Sequence, residues 1–260
     1  MICQSCIMNN FRIFAVNMGF KVVHIEETDS TNRWLRDNGH MVEADSPGAV
    51  VVVAAEHQTA GKGCGTNSWE SVRGKNLTFS MMIHPEQIPI SRQWQISETV
   101  SVALCEALDA YLPDRRVEIK WPNDIYYGDG KLCGILIENR LQGGVIRDSI
   151  IGIGLNVNQE VFLSDAPNPV SLRQILGRDT DREELLQAFL ESFQAASMRE
   201  TCGLAYRSRL FRKGKEAVYR DEKGRFSATI VDVASDGHLI LRDTDGKRRV
   251  YAFKQVQFVV

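Results

Sequence analysis

The stretch from Glu118 to Glu138 limits the fold more than any other. It reads Glu-Ile-Lys-Trp-Pro-Asn-Asp-Ile-Tyr-Tyr-Gly-Asp-Gly-Lys-Leu-Cys-Gly-Ile-Leu-Ile-Glu. Apolar and aromatic runs joined by a Gly-Asp-Gly turn spell a β-hairpin, and Pro122 removes a backbone donor from one strand. Lys120, Asn123, Asp124 and Lys131 interrupt runs that otherwise look buried. Alternation sets Lys120 with Glu118 on one face, opposite Ile119 and Trp121. Lysines in strands are ordinarily surface residues that snorkel. Here two ammonium groups share a short apolar hairpin with a carboxylate, and an ammonium is a compact donor suited to carboxylate and phosphate oxygens. Asp124 can hold a lysine or a divalent metal.

Around this hairpin the pattern predicts a mixed α+β chain. Lys21 to Glu26 reads as a strand. Asp29-Ser30-Thr31-Asn32 opens a helix that carries Trp34 and Leu35 and ends before Gly39. Ala49 to Ala55 is a continuous apolar run, the mark of a strand buried on both faces. Asn76 to Ile83 is a further strand, and Trp94 to Leu112 has helical apolar spacing. After Gly143-Gly144 a strand runs from Val145 to Gly154. Helices follow over Val170 to Leu176 and from Arg182 to about Lys213, with Gly203 as a break. Beyond Gly214 come short alternating strands, Glu216 to Arg220, Arg225 to Ala234, His238 to Arg242 and Arg248 to Val259. The Asp-Gly turns among them predict a small β-barrel. The expected division is therefore 1–20 with no assigned role, 21–213 as the main domain and 214–260 as the barrel.

Several classes are disfavoured. A net charge of −2 supplies no broad basic field for nucleic acid. No apolar run approaches the roughly 20 residues of a membrane span, and the start lacks a signal-peptide pattern, so a cytoplasmic protein is expected. Cys3 and Cys6 form a CxxC with no second pair to complete a zinc tetrad; these two and the remaining cysteines are expected to be free thiols.

Three other segments bear chemistry. Asp29-Ser30-Thr31-Asn32 can cap a helix or hold a polar, uncharged ring. Gln58-Thr59-Ala60-Gly61-Lys62-Gly63-Cys64-Gly65-Thr66-Asn67-Ser68-Trp69 is a surface loop or a phosphate cradle, since alternating glycines bring backbone N–H groups close to an anion. It fits neither a Walker loop nor a dinucleotide fingerprint. Trp69 is core or a platform for a purine. In Gly152-Ile153-Gly154-Leu155-Asn156-Val157-Asn158, a buried Asn156 needs a partner.

Taken in order, these four segments resemble the biotin protein ligases, that is, biotin–[acetyl-CoA-carboxylase] ligases. The pairing of KWPND with KLCGIL is highly specific to them. The resemblance covers Thr28 to Asn158 by motif and reaches the C-terminus by architecture. It implies a class II synthetase-like fold, with a mixed sheet packed with helices and a C-terminal SH3-like barrel. It also implies a two-step reaction: biotin and ATP give biotinoyl-AMP, which then modifies a lysine of a biotin carboxyl carrier domain.

By this resemblance Lys131, Lys120 and Asp124 are catalytic, and Asp124 orients the site or a Mg²⁺. Ser30, Thr31, Asn32, Gln58, Lys62, Gly63, Cys64, Lys131 and Gly134 bind biotin. Gly61, Lys62, Gly63, Trp69, Asn123, Lys131 and Asn156 bind ATP. One departure stands out: Lys62 and Cys64 occupy loop positions where the family carries arginine and a basic or amide residue. The roughly thirty residues before Ser30 are too few for the DNA-binding domain of repressor-type members, so a monofunctional enzyme without operator binding is expected. A homodimer is open. The rivals are a lipoate or octanoyl ligase or transferase of the same fold, for which Cys133 is the candidate thiol, and a non-catalytic biotin-binding protein.

Overall fold

The structure, a computed structural model, describes residues 19–45, 47–85, 88–112, 114, 117–164 and 168–259. Cys3, Cys6 and the rest of residues 1–18 lie outside them.

Seven strands form the main sheet: β1 (Gly19–Thr28), β2 (Ala49–Gln58), β3 (Leu77–Ile83), β4 (Val117–Lys120), β5 (Asp124–Tyr127), β6 (Gly130–Gln142) and β7 (Val145–Leu155). Their order is β1-β2-β3-β7-β6-β5-β4. The β1–β2 pair is parallel and the others antiparallel, so the sheet is mixed, as the strand and helix pattern implies.

The apolar run of β2 is buried on both faces. Val50, Val52 and Ala54 join the large core with Phe79 and Met81 of β3, while Val51 and Val53 face a small cluster with Leu35, Met82 and Ile150. Helix α1 (Thr31–Ala44) covers the small cluster. Helices α2 (Trp94–Asp109) and α4 (Arg182–Ser197) cover the large one; the short α3 (Leu172–Leu176) precedes α4, and α5 (Gly203–Ser208) follows it.

Two expectations are corrected. Helix α1 does not stop before Gly39 but continues to Ala44. Gly39 serves packing, since a Cβ there would lie 2.8 Å from Met82 Cε. The final strand is also not continuous. β8 (Glu216–Asp221), β9 (Gly224–Val233), β10 (Leu239–Asp243) and β11 (Arg248–Tyr251) form an antiparallel meander, and β12 (Gln257–Phe258) crosses to pair with β8 at its far edge. The residues between β11 and β12 turn on themselves, with Gln255 N–H donating to Ala252 O at 3.1 Å.

This five-stranded sheet shares one apolar core with the main sheet, through Tyr219, Ile230, Leu239 and Val256. Trp121 Nε1 donates to Gly237 O at 2.9 Å, which ties the hairpin to the C-terminal sheet.

Candidate active site

The two faces of the central strands differ in side-chain size. Phe79, Met81, Ile135, Ile151 and Ile153 point into the large core. Alternation then puts Ser80, Gly134, Gly152 and Gly154 on the α1 side, where small residues leave a floor that other side chains can approach.

Two groups of polar side chains lie on that floor. The first surrounds the start of α1. Ser30 is its N-cap but makes no side-chain capping bond, so the buried hydroxyl is not consumed by the helix. Gln58 Oε1 accepts from Thr31 N at 2.8 Å and from Thr31 Oγ1 at 3.0 Å. Ser80 Oγ sits 2.7 Å from Thr31 Oγ1 and 2.6 Å from Asn32 Oδ1. Asn32 Nδ2 donates to Glu138 Oε2 at 2.7 Å, and its Oδ1 is so close to the strand that a Cβ on Gly152 would lie 2.3 Å away. Arg36 pairs with Glu138 at 2.9 Å, so this group can present hydroxyl and amide dipoles, but no net charge, to a ligand. Ser80 was not legible from sequence, because one serine in an apolar strand looks like filler. Glycine alternating with isoleucine in β7 was the available sign of the floor.

The second group is cationic. Lys131, at the start of β6, forms an ion pair with Asp124 Oδ2 at 2.8 Å. Lys120 on β4 stands opposite Asp124 in the ladder. Its ammonium donates to Tyr126 OH at 2.8 Å and lies over the Tyr126 ring at 4.6 Å and the Phe258 ring at 5.4 Å. Burial among these rings pushes Lys120 down to about 8, against the attraction of Asp124 and helped by Lys131 and Arg212. Asn123 Nδ2 donates to Ile135 O at 3.3 Å and braces the turn.

Trp69 joins the two groups. Its indole lies on the glycine floor: a Cβ at Gly154 would stand 2.3 Å from Cε2, and one at Gly134 would stand 2.9 Å from Cζ3. Lys131 Nζ is 5.9 Å from its ring centre. Trp69 Nε1 is buried without a partner among the described residues, and so is Asn156 Oδ1. Asn156 Nδ2 spans Lys131 O at 3.3 Å and Val170 O at 3.2 Å, so this amide braces the strand that carries Lys131. The glycine-rich segment folds as a narrow ribbon in which Gly63 N donates to Asn67 O at 2.8 Å and Trp69 N to Gly61 O at 2.9 Å. Gly61 is buried, Lys62 exposed and Cys64 half-buried.

A model of the biotin/lipoate A/B protein ligase family matches residues 24–156, the span that holds Ser30, Thr31, Asn32, Gln58, Ser80, Lys120, Asp124 and Lys131. The chain belongs to that family. Among known proteins it is 28% identical over 246 residues to the bifunctional ligase/repressor BirA of Bacillus spizizenii, covering 90% of this chain and 73% of that protein. It is 29% identical over 215 residues to the biotin–[acetyl-CoA-carboxylase] ligase of Paracoccus denitrificans, covering 77% of this chain and 87% of that one. Its fold is similar to that of the biotin protein ligase of Aquifex aeolicus in complex with biotin and ATP. There the TM-score is 0.73 at 23% identity, over 92% of this chain and 99% of that chain.

Within this biotin/lipoate ligase chain Cys133 is fully buried, and burial holds its thiol well above the ordinary range. It is therefore poorly suited to act as a thiolate nucleophile. Among the described residues no group of three His, Cys, Asp or Glu could hold a metal, and no helix is long and apolar enough to cross a membrane.

Proposed function

We propose that this chain is an ATP-dependent ligase that activates biotin and attaches it to a lysine of a biotin carboxyl carrier domain, working in the cytoplasm. The observation that carries this reading is the Lys131–Asp124 pair, with Lys120 opposite it, beside an uncharged polar pocket on one glycine floor. An anion needs the cationic group and a ureido-type ring suits the uncharged one, and biotin has both.

In the first step a carboxylate oxygen of biotin bonds to the α-phosphorus of ATP and pyrophosphate leaves. Two anions must meet, so fixed cations at the meeting point lower the barrier. Lys131 faces the carboxylate and α-phosphate, and Asp124 fixes its direction. Lys120 adds a second charge across the hairpin. In the second step the amine of the carrier lysine bonds to the acyl carbon, loses a proton and expels AMP.

Ser30, Thr31, Asn32 and Gln58 hold the ureido ring, and Gly134 leaves room for biotin against the strand. Gly61, Lys62, Gly63 and Cys64 cover ligand and phosphate, and Asn123 and Asn156 shape the nucleotide side. Trp69 stacks on adenine after leaving its place on the floor. A Mg²⁺ carried by ATP takes few protein ligands, typically one or two carboxylates besides phosphate oxygens. Asp124 is the carboxylate beside Lys131 that would hold it, and the ion would supply charge neutralisation.

Biotin-dependent exchange of pyrophosphate into ATP tests the first step, and labelling of a carrier domain tests the second. Lys131→Ala is expected to cut exchange by about 10²- to 10³-fold, the usual cost of losing a charge-stabilising group, with an unchanged thermal melt. Unchanged exchange removes the catalytic assignment. Exchange driven by lipoate or octanoate instead of biotin removes the substrate assignment.

A further inference from the structure

The C-terminal sheet reaches the glycine-rich segment through one side chain. Lys254 lies in the turn between β11 and β12 with φ of 70°, a left-handed conformation that L side chains other than Asn and Asp rarely adopt. The turn is fixed on both sides. Gln255 Oε1 accepts from Ala252 N at 2.8 Å, Val256 is in the core, and the Phe253 ring meets Trp121 edge-on at 6.1 Å. Lys254 thus projects from a rigid base into the space beside Gly65, where a Cβ would stand 3.2 Å from its ammonium. Its ammonium has a ring contact with Phe253 at 5.8 Å and no ion-pair partner among the described residues. A groove of about 770 Å³ behind it is lined by Arg220, Lys223, Lys247 and Arg248, with Asp221 and Glu222 as its acids, so the local field is positive.

The charge balance at the site leaves work for such a group. A nucleoside triphosphate carries several negative charges. Lys131 is already paired with Asp124, and the glycine-rich ribbon from Gly61 to Trp69 contains one cation, Lys62.

We propose that Lys254 is a phosphate-binding residue that positions ATP from the C-terminal sheet, its ammonium closing over the ribbon at Gly65 to meet the outer phosphates. This rests on the ligase reading above. It gives the C-terminal sheet a direct part in nucleotide binding, and it gives a lysine a use at a position where a glycine would be unstrained.

Lys254→Gly separates the role from a structural one, because glycine relieves the left-handed backbone while removing the charge. The dissociation constant for an ATP analogue with a methylene bridge between the α- and β-phosphorus, which binds but cannot lose pyrophosphate, is expected to rise about tenfold in Lys254→Gly and Lys254→Ala. That is the scale of one charge-assisted contact. The KM for biotin should stay unchanged, and the thermal melt of Lys254→Gly should be equal or higher. Lys254→Arg should restore most of the affinity, and the wild-type advantage should shrink with added salt.

Equal ATP affinity in wild type and both neutral variants overturns the proposal, as does a parallel loss of biotin and ATP binding. Tight, Lys254-dependent ATP binding without biotin-dependent pyrophosphate exchange leaves Lys254 standing and sinks the ligase reading instead.

Discussion

Replacing Lys120 by Met should make the protein more stable and less active at once. Methionine retains the apolar stem that packs between Tyr126 and Phe258 and removes only the charge. In the folded protein burial lowers Lys120 from an ordinary 10.5 to about 8. At about 1.4 kcal/mol per pH unit, the folded state bears a penalty of about 3 kcal/mol for holding this ammonium at pH 7. Methionine removes that penalty. It also leaves Tyr126 OH without its donor, which costs about 1 kcal/mol, and the lost cation–π contacts trim the gain further. A net gain of about 1 to 2 kcal/mol remains.

The sign of the pH dependence follows from the same displacement. Between about pH 8 and 10.5 folded Lys120 has shed its proton while unfolded Lys120 retains it. The unfolded state then binds more protons, so wild-type stability rises with pH relative to the variant. The variant should lead at pH 7 and lose its lead near pH 10. Urea denaturation of both proteins at pH 7, 8.5 and 10 measures this directly. Biotin-dependent pyrophosphate exchange should fall by about 10²-fold in the variant, and in the wild type it should decline as pH rises through about 8. A variant less stable than wild type at pH 7, or a difference that does not move with pH, would refute the claim that a desolvated charge is stored here for catalysis.

Two further substitutions test the floor. Gly154→Ala places a Cβ 2.3 Å from the Trp69 indole, so the ring must lift; a red shift in tryptophan emission and at least a tenfold loss of pyrophosphate exchange are expected, and an unshifted spectrum counts against the packing described. Ser80→Ala removes the hydroxyl that joins Thr31 and Asn32; urea denaturation should show a loss of about 1 kcal/mol, and steady-state kinetics a severalfold higher KM for biotin with the KM for ATP unchanged.

What could be read in the sequence follows from where local rules conflict. Lys120, Asp124 and Lys131 were visible because charged groups inside an apolar hairpin are costly unless they are paired or used. Ser30 was ambiguous, since a serine at a helix start is ordinarily a cap; the structure shows that its side chain makes no capping bond. Gly39 was misread because a glycine in a helix signals an end, while its actual partner, Met82, sits on a strand more than forty residues away. The break between β11 and β12 carried no signal at all. Residues 252–256 read Ala-Phe-Lys-Gln-Val, without the Gly, Pro or Asn that mark turns, and the left-handed position is filled by Lys254. Long-range packing decided these last two features, and a linear pattern does not record it.

The same contrast between local and long-range support bears on how the site works. Lys131 is clamped by its backbone: its N–H donates to Asn168 O at 2.7 Å, and its carbonyl accepts from Val170 N at 3.0 Å and from Asn156 Nδ2 at 3.3 Å. The β5–β6 register shifts between Ile125 and Tyr126, so that Cys133 faces Ile125 while Lys131 faces Tyr126. A bulge of this kind re-aims a side chain, and it puts the Lys131 ammonium against Asp124 while Leu132 and Cys133 are both buried. The cations are therefore fixed before any ligand arrives, and that preorganisation is the main source of electrostatic catalysis. The opposite wall is built differently. Trp69 occupies the glycine floor with its indole N–H unpartnered, and the ribbon that carries it is held by only a few backbone bonds of its own. On the reading proposed above, biotin entering onto the floor would displace that ring. On that reading the ligand would move the wall with few bonds to break, while the backbone clamp on Lys131 stays in place.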